Sequence, residues 1–356
     1  MNPYTLVFGK EPAQMIARHM QTAEIIDTFN SDNPSQQVYI ITGVRGAGKT
    51  VLMTDVAKRL QKNDIWITVE LNPERDMLET LVSKLSSNHT LAKLFQSAKI
   101  NLSLFGFGLE VSGEAPVSDL EIALGKMLES LKKHGKRLLI MVDEAMNSKA
   151  MKTFIHSFQI LVRQDLPVFL LMTGLYDNID NLQNEKSLTF LYRAPKIVLK
   201  PLNIGTIAAN YKKNLPVTES EALKLAKMTK GYSFAFQVLG YFCWQQGSIN
   251  DAVMEDYRQY LEEYVYEKIW TELSQNDRKI VFGIANCSTG KISEIRSFLK
   301  METNQFNPYR KRLIRKGIIN GEEYGYVFFI LPLFEKFVLE NYIESSVTTN
   351  PRPMRS

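Results

Sequence analysis

Short apolar runs alternate with amphipathic segments between residues 38 and 202 of the chain. Each run is too short for a helix and is bounded by charged or turn-forming residues, which predicts a buried β-strand. The runs are VYIIT (38–42), IWITVEL (65–71), RLLIMVD (137–143), PVFLLMTG (167–174) and KIVLKP (196–201). The segments between them carry apolar residues at helical spacing. This alternation predicts an α/β core, in which a parallel sheet has helices on both faces.

One segment interrupts the alternation. Residues 100–115, INLSLFGFGLEVSGEA, alternate polar and apolar side chains around glycines. Strict alternation is typical of a strand that is buried on one face, so we predict an inserted β-hairpin here. A flexible surface loop is the alternative interpretation.

The rest of the chain has a different pattern, and at 356 residues the chain is too long for one ordinary domain. Residues 203–265 show only helical periodicity, which predicts a small helical lid. Residues 266–345 predict helices followed by two strands around NGEEYG, the pattern of a winged helix. The remaining residues, 346–356, are polar and contain two prolines, so we expect a disordered tail. The predicted core is then 1–202.

The amino-acid composition limits the class of protein and its cellular location. The chain is 45% hydrophobic and 23% charged, as in globular proteins, and its apolar runs are too short to span a membrane. Its two cysteines form no CxxC pair and its four histidines are scattered, which argues against a disulfide framework or a zinc site. We therefore expect a cytoplasmic protein without a membrane segment.

The strongest chemical signal is GVRGAGKT, which follows the first apolar run and opens a predicted helix. Glycines let such a loop wrap around phosphates with its backbone N–H groups pointing inward, and the helix N-terminus adds partial positive charge. We expect Lys49 to neutralise the β- and γ-phosphates and the Thr50 hydroxyl to bind Mg²⁺. The predicted ATP-binding residues are Gly43, Val44, Arg45, Gly46, Ala47, Gly48, Lys49, Thr50 and Val51.

A second motif, RLLIMVDEA, completes this pattern. Asp143 comes directly after a predicted central strand, where its carboxylate is expected to hold the Mg²⁺ shell. Glu144 follows it and is expected to orient and polarise an attacking water. Together with the glycine-rich loop, this pair predicts a nucleoside triphosphatase built on a P-loop core.

Two further polar residues stand near predicted strand ends. Thr173, in LMTG, is expected to reach the γ-phosphate or the water, although its hydroxyl could instead cap the following helix. Arg193 precedes the last predicted strand and could stabilise transition-state charge, either within its own subunit or in a neighbouring one. The alternative for Arg193 is an arginine that meets only a helix end or solvent.

These motifs, in this order, resemble a known family. The order NPYTLVFGKEP, GVRGAGKT, VDEA, LLMTGL, FLYRAPKIVLKPL and TKGYSFAFQVLG is similar to AAA+ ATPases of the origin-recognition-like and archaeal-ATPase group, which borders on the STAND signalling ATPases. The resemblance covers residues 1–345. It implies that Arg18 lies near the nucleotide base, that Thr173 is the sensor 1 residue and that Arg193 holds the arginine-finger position.

The sequence departs from that family in two places. Threonine stands at sensor 1, where asparagine is common, and the lid reads GYSFAF where an arginine often reaches the γ-phosphate. STAND-like members share such a glycine-centred lid motif. By resemblance, the chain is then a slow switch between ATP and ADP states, without fast processive hydrolysis.

Positive charge is concentrated near the C-terminus. Residues 291–316 contain eight Lys or Arg and two Asp or Glu, a net charge of +6, whereas the whole chain carries +5. Two predicted helices joined by a tight turn resemble a helix-turn-helix, with NGEEYG as the wing. The residues expected to contact DNA phosphates are Arg310, Lys311, Arg312, Arg315 and Lys316.

Two functions therefore stay open. The leading hypothesis is an AAA+ ATPase whose nucleotide state controls binding of duplex DNA by the basic winged helix. The other is a STAND-type switch whose winged helix binds a protein or holds the inactive state. The basic run favours the first, and the aromatic lid motif favours the second. A metabolic P-loop kinase fits less well, because no second substrate site is evident. Self-association through the ATPase face would suit Arg193 acting on a neighbouring subunit.

Overall fold

The computed structural model describes residues 1–7, 12–107 and 109–347. Contacts between residues group the chain into two units. The sheet unit contains Ala17–Thr42 and Lys49–Val198. The helical unit contains Met1–Ile16, Gly43–Gly48 and the residues from Leu199 onward. Nowhere in the described ranges is a helix both long enough and apolar enough to cross a membrane.

The sheet unit is built on parallel strands. Within the described residues there are five of them, in the order β2-β3-β4-β1-β5. Their bounds are β1 (Val38–Thr42), β2 (Trp66–Leu71), β3 (Arg137–Val142), β4 (Val168–Gly174) and β5 (Lys196–Val198). All five predicted strands are present, which confirms the α/β fold class. Every residue of β1 and β4 is buried, as expected for central strands that are covered on both faces.

Helices connect these strands. They are α1 (His19–Asn30), α2 (Lys49–Leu60), α3 (Met77–Ser87), α4 (His89–Ser97), α5 (Leu120–Lys133), α6 (Lys149–Arg163) and α7 (Tyr176–Gln183). Side chains fix several of their starts, because Asp76, Asn88, Asp119 and Ser148 each accept a hydrogen bond from an N–H of the first turn. A 3₁₀ turn at Thr189–Arg193 precedes β5.

The predicted β-hairpin at 100–115 is wrong. The described residues of this segment form a 3₁₀ turn, Ser103–Phe105, and contain no strand. The Asn101 side-chain amide holds the segment together by donating to the carbonyls of Val111 and Glu114. The alternation that suggested a strand instead serves local packing, in which the rings of Phe105 and Phe107 stack at 5.9 Å.

The helical unit begins its main run after β5. Its first helices are α8 (Ile204–Asn214), α9 (Glu219–Met228), α10 (Ser233–Gln246) and α11 (Asp251–Leu261), followed by a π-helical turn (Glu262–Tyr266) and α12 (Glu267–Glu272). This agrees with the helical periodicity of 203–265. The N-terminal residues join this unit because the ring of Tyr4 packs edge-on against Tyr211 and Phe236. Residues 1–16 thus group with the C-terminal part of the chain, although the predicted domain division assigned them to the core.

The last part of the helical unit combines helices with a small sheet. Its elements are α13 (Gln275–Asn286), α14 (Ile292–Leu299), α15 (Thr303–Arg315), β6 (Ile319–Asn320), β7 (Phe328–Phe329) and α16 (Phe334–Val347). The two strands pair antiparallel. The predicted disordered tail, 346–356, overlaps the end of α16, and from residue 348 onward it lies outside the described residues. The division into core, lid and winged helix stays a prediction.

Candidate nucleotide-binding site

The glycine-rich loop joins the buried strand β1 to the N-terminus of α2. Gly46 and Gly48 have φ angles of +69° and +91°, in the left-handed region where side chains are disfavoured. Two positions of the motif therefore require glycine for backbone reasons. Lys49 and Thr50 are the first two residues of α2. A loop with this backbone at the start of a helix is suited to phosphate.

Thr50 and Asp143 lie together in the sheet unit. The Thr50 hydroxyl donates to Asp143 Oδ2 over 2.8 Å. Neighbouring oxygens around an octahedral Mg²⁺ are about 3.0 Å apart, since each Mg–O bond is ~2.1 Å long. The two oxygens thus have both the chemistry and the spacing of adjacent Mg²⁺ ligands, and the residues fit the ion predicted from the sequence.

Thr173 completes a network around Asp143. Its hydroxyl is fully buried and donates to Asp143 Oδ1. The Glu144 N–H donates to Asp143 Oδ1 over 3.1 Å and to the Thr173 hydroxyl over 3.2 Å. The following helix, α7, begins at Tyr176 with Leu175 as its N-cap residue and has no side-chain cap, so the Thr173 hydroxyl does not cap it. Thr173 therefore holds the Asp143 carboxylate and the Glu144 backbone in place.

Glu144 has the exposure that its expected role requires. Its side chain is exposed, and among the described residues its carboxylate has no hydrogen-bond partner. Its φ is +53°, which is uncommon for a residue with a side chain. Such strain is often found at functional positions. The backbone bonds to Asp143 and Thr173 hold this conformation, leaving the carboxylate accessible to water.

The other two arginines predicted for this site are placed differently. Arg193 ends the 3₁₀ turn Thr189–Arg193 and is exposed, without a hydrogen-bond or ion-pair partner in the described part of the chain. Arg18 is the half-buried residue before α1, where burial lowers its pKa to about 10, so it remains a cation at neutral pH. Residues 8–11, part of the N-terminal motif, lie outside the described residues.

The contacts of the loop within the helical unit could not be predicted from the sequence. Residues 231–234, which we call the clamp turn, donate three hydrogen bonds to consecutive loop carbonyls. Arg45 also forms an ion pair with Glu272 at 2.6 Å, and Gly317, just after α15, lies against Val44. These partners are 180 or more residues from the loop in the chain, too far apart for any local sequence pattern to reveal.

The basic residues of α15 do not form one uniform surface. Arg312 donates to Asp277 Oδ1 over 2.6 Å and 3.0 Å, and the Asp277 side chain is only 2% exposed. Arg310 donates to the Gly321 carbonyl at 3.3 Å. Lys311 and Arg315 are exposed. The structure thus pairs Arg312 with a buried carboxylate, while contact of the five basic residues with DNA phosphates stays a prediction.

We predict that Arg312→Ala destabilises the protein by about 2–3 kcal/mol. The substitution leaves the Asp277 carboxylate buried without its main partner; the loss is below that of a fully buried pair because the Arg312 side chain is 40% exposed. Urea unfolding measures it. Lys311→Ala, the adjacent exposed residue, is the matched control and should change stability by less than about 0.5 kcal/mol. Equal effects of the two substitutions would contradict a structural role for Arg312.

Comparisons with known proteins agree with the fold and motifs. Residues 24–189 match a family described as an ATPase domain predominantly from Archaea, and residues 263–338 match a domain of unknown function (DUF8462). A Walker-type ATPase of Pyrococcus abyssi has a TM-score of 0.62 at 19% identity, covering 92% of this chain and 96% of its own. The ORC2 protein of Aeropyrum pernix in its ADP form has a TM-score of 0.51 at 14% identity, covering 96% and 98%. No curated protein is significantly similar in sequence.

The family match confirms the predicted resemblance to archaeal ATPases. At identities of 19% and 14%, the two solved structures show a shared fold and nothing more specific. Both structures are matched over nearly their whole length, so the likeness includes the helical unit as well as the sheet.

Proposed function

We propose that this chain, whose residues 24–189 match a family of ATPase domains predominantly from Archaea, is a cytoplasmic switch that binds ATP with Mg²⁺, hydrolyses it slowly and uses its nucleotide state to control binding of duplex DNA. The observation that carries the nucleotide part is the hydrogen bond between Thr50 and Asp143 at 2.8 Å. It joins the first turn after the glycine-rich loop to the carboxylate at the end of β3, as a shared Mg²⁺ requires.

Each residue of the site has a distinct task in this proposal. Lys49 and the loop N–H groups bind the phosphates, and Thr50 and Asp143 hold Mg²⁺, which supplies positive charge to the phosphate oxygens. Glu144 orients the attacking water and accepts its proton. Thr173 acts through Asp143 and the Glu144 backbone. Arg193 is exposed, so it is available to the site of a second copy of the chain.

The loop also has a physical connection to the C-terminal part of the chain. Within the helical unit, its residues contact the clamp turn, Glu272 at the end of α12 and Gly317 after α15. A change in loop conformation on nucleotide binding would alter these contacts. A ligand shifts a conformational equilibrium when it binds the two states with different affinity. Contacts that depend on the loop conformation would give the nucleotide such a difference, and this supports its control of the C-terminal elements.

The proposed DNA contact is narrower than the sequence predicted. Asn304, Pro308, Lys311 and Arg315 are all exposed and are spaced by four, three and four residues, so they share one face of α15. The element order from α13 to β7, three helices followed by an antiparallel pair, suits a winged helix. We propose that this face of α15 contacts the duplex, with Lys311 and Arg315 on phosphates.

A protein-binding switch is the second candidate, and two observations favour it. Arg312 is paired with Asp277, whose carboxylate competes with a phosphate for the guanidinium group. Glu322 and Glu323, at the turn between β6 and β7, are exposed and would repel phosphate. In that function the C-terminal elements bind a protein partner or hold the inactive state.

Salt dependence of duplex binding separates the two functions. We expect affinity to fall steeply with salt in one nucleotide state, with a log–log slope of roughly −0.9 for each phosphate contact. Replacing both Lys311 and Arg315 by alanine should make the slope shallower by up to about two units on every sequence tested. Arg312 is left intact in this design because its loss would disturb the fold.

The matched control removes two exposed lysines of α9, Lys224 and Lys227, and should leave the slope unchanged. The measurement is a fluorescence titration of a labelled duplex at several salt concentrations, with ADP and with a non-hydrolysable ATP analogue. If the wild-type chain binds no duplex in a salt-sensitive way in either state, the DNA proposal fails and the protein-binding switch replaces it.

A further inference from the structure

Three consecutive carbonyls of the glycine-rich loop are held by the clamp turn. Arg45 O accepts from the Tyr232 hydroxyl over 2.5 Å. Gly46 O accepts from the Phe234 N–H over 3.1 Å, and Ala47 O accepts from the Ser233 hydroxyl over 3.0 Å. All of these residues belong to the helical unit. The loop backbone is thus fixed at three successive peptide groups by one short turn.

Fixing these carbonyls also fixes the N–H groups that follow them. In a trans peptide the C=O of one residue and the N–H of the next point in opposite directions, and no peptide bond in the described residues is cis. The N–H groups of Gly46, Ala47 and Gly48 therefore point away from the clamp turn. The Ala47 N–H donates to Val44 O within the loop. Those of Gly46 and Gly48 keep the orientation that a phosphate-binding loop needs.

The clamp turn fits closely against the loop. A methyl group added at Gly46 would lie 2.3 Å from the Tyr232 hydroxyl oxygen and 2.8 Å from Phe234 Cβ. Tyr232 itself is 2% exposed. Burial raises the pKa of its hydroxyl well above the usual value, so the group is protonated at neutral pH and can donate.

We propose that Tyr232 is a positioning residue for the nucleotide site: through Arg45 O it holds the loop with its N–H groups turned toward the phosphates. The Ser233 hydroxyl and the Phe234 N–H assist it. This inference rests on the proposed binding of nucleotide. It gives the aromatic lid motif a task of its own, on the outer side of the loop, in place of an arginine that would reach the γ-phosphate.

This role has a distinctive signature. A residue that contacts the γ-phosphate would affect ATP and leave ADP nearly unchanged. Tyr232 acts on the loop, so its loss should weaken ADP and ATP by the same factor. Because coupling is reciprocal, bound nucleotide should in turn slow hydrogen exchange at Phe234, whose N–H is bonded to Gly46 O.

Tyr232→Phe tests the proposal, with Tyr211→Phe as the matched control. Both tyrosines are buried, and each hydroxyl donates to a backbone carbonyl; that of Tyr211 donates to Phe236 O over 2.7 Å, away from the loop. Tyr232→Phe should weaken ADP and ATP about fivefold each, about 1 kcal/mol. Tyr211→Phe should change either affinity by less than about twofold, while both substitutions lower the unfolding midpoint.

Titration with fluorescent ADP and ATP analogues measures these affinities on the full chain. If Tyr232→Phe and Tyr211→Phe bind both nucleotides alike, or if Tyr232→Phe weakens only ATP, the positioning role is wrong while the proposed function stands. If the wild type binds neither nucleotide, the proposed function fails and this inference fails with it. Should Tyr232→Phe not fold, Ser233→Ala takes its place, with the same equal loss for ADP and ATP expected.

Discussion

Lys49→Ala should weaken binding of both ADP and ATP by ~100-fold or more. Lys49 stands at the first position of α2, directly after the loop. We propose that its ammonium group contacts two phosphates, and each charge-assisted hydrogen bond contributes about 1.5–3 kcal/mol. Loss of two such bonds is enough for a hundredfold change, because each 1.4 kcal/mol is a factor of about ten. Calorimetric or fluorescence titration of the full chain measures it.

Lys58→Ala is the control for this loss. Lys58 lies in the last turn of the same helix and is exposed, so its replacement removes one lysine without touching the loop. It should leave both affinities within about twofold, since surface substitutions away from a site have small effects. Normal nucleotide affinity in Lys49→Ala would contradict the assignment of the glycine-rich loop as the phosphate site.

The sheet could be predicted because its signals are local. All five strands appear in the sequence as short apolar runs, and the ends of parallel strands meet at one edge of a sheet. Asp143 directly follows β3, and Thr173 is the last residue but one of β4. These two strands are neighbours in the sheet. Their proximity therefore follows from topology, whereas the hydrogen bond between them is seen only in the structure. The glycine-rich loop could also be predicted from the sequence, because its phosphate-binding chemistry lies in eight consecutive residues.

The features that the sequence did not reveal depend on contacts between side chains, some of them distant in the chain. The basic run on α15 predicted phosphate contacts for five residues, but the sequence could not show that Arg312 is paired with Asp277 of α13, which stands 35 residues earlier. The hairpin at 100–115 failed because alternation records which side chains are buried and does not specify backbone pairing. Here the Asn101 side-chain amide and the stacked rings of Phe105 and Phe107 hold a segment of alternating polar and apolar residues together without a strand.

The aromatic lid motif shows a subtler limit. In the sequence, GYSFAF could be described only by the arginine it lacks. In the structure, Tyr232, Ser233 and Phe234 donate hydrogen bonds to the carbonyl groups of the loop. No sequence motif describes this contact, because a carbonyl accepts hydrogen bonds from many residue types. A departure from a family pattern can thus indicate a different contact, and not merely the loss of one.

Glu144→Gln should separate binding from hydrolysis. The substitution removes the carboxylate that orients water but keeps the backbone N–H bonded to Asp143 and Thr173, and it leaves Thr50 and Asp143 as Mg²⁺ ligands. We therefore expect nucleotide affinity within about twofold of wild type. Loss of a general base lowers turnover by about 10²–10⁴-fold, so phosphate release should fall at least about a hundredfold.

The variant should consequently accumulate bound ATP, whereas the wild type should come to hold ADP after the same incubation. Chromatography of the released nucleotide distinguishes the two. Glu129→Gln is the control, since Glu129 is an exposed carboxylate of α5 in the same unit, and it should hydrolyse at the wild-type rate. Wild-type turnover in Glu144→Gln would remove Glu144 from catalysis. If the wild type binds ATP but releases no phosphate, the chain is a nucleotide-binding switch without hydrolysis, and the exposed Glu144 carboxylate is not a catalytic base.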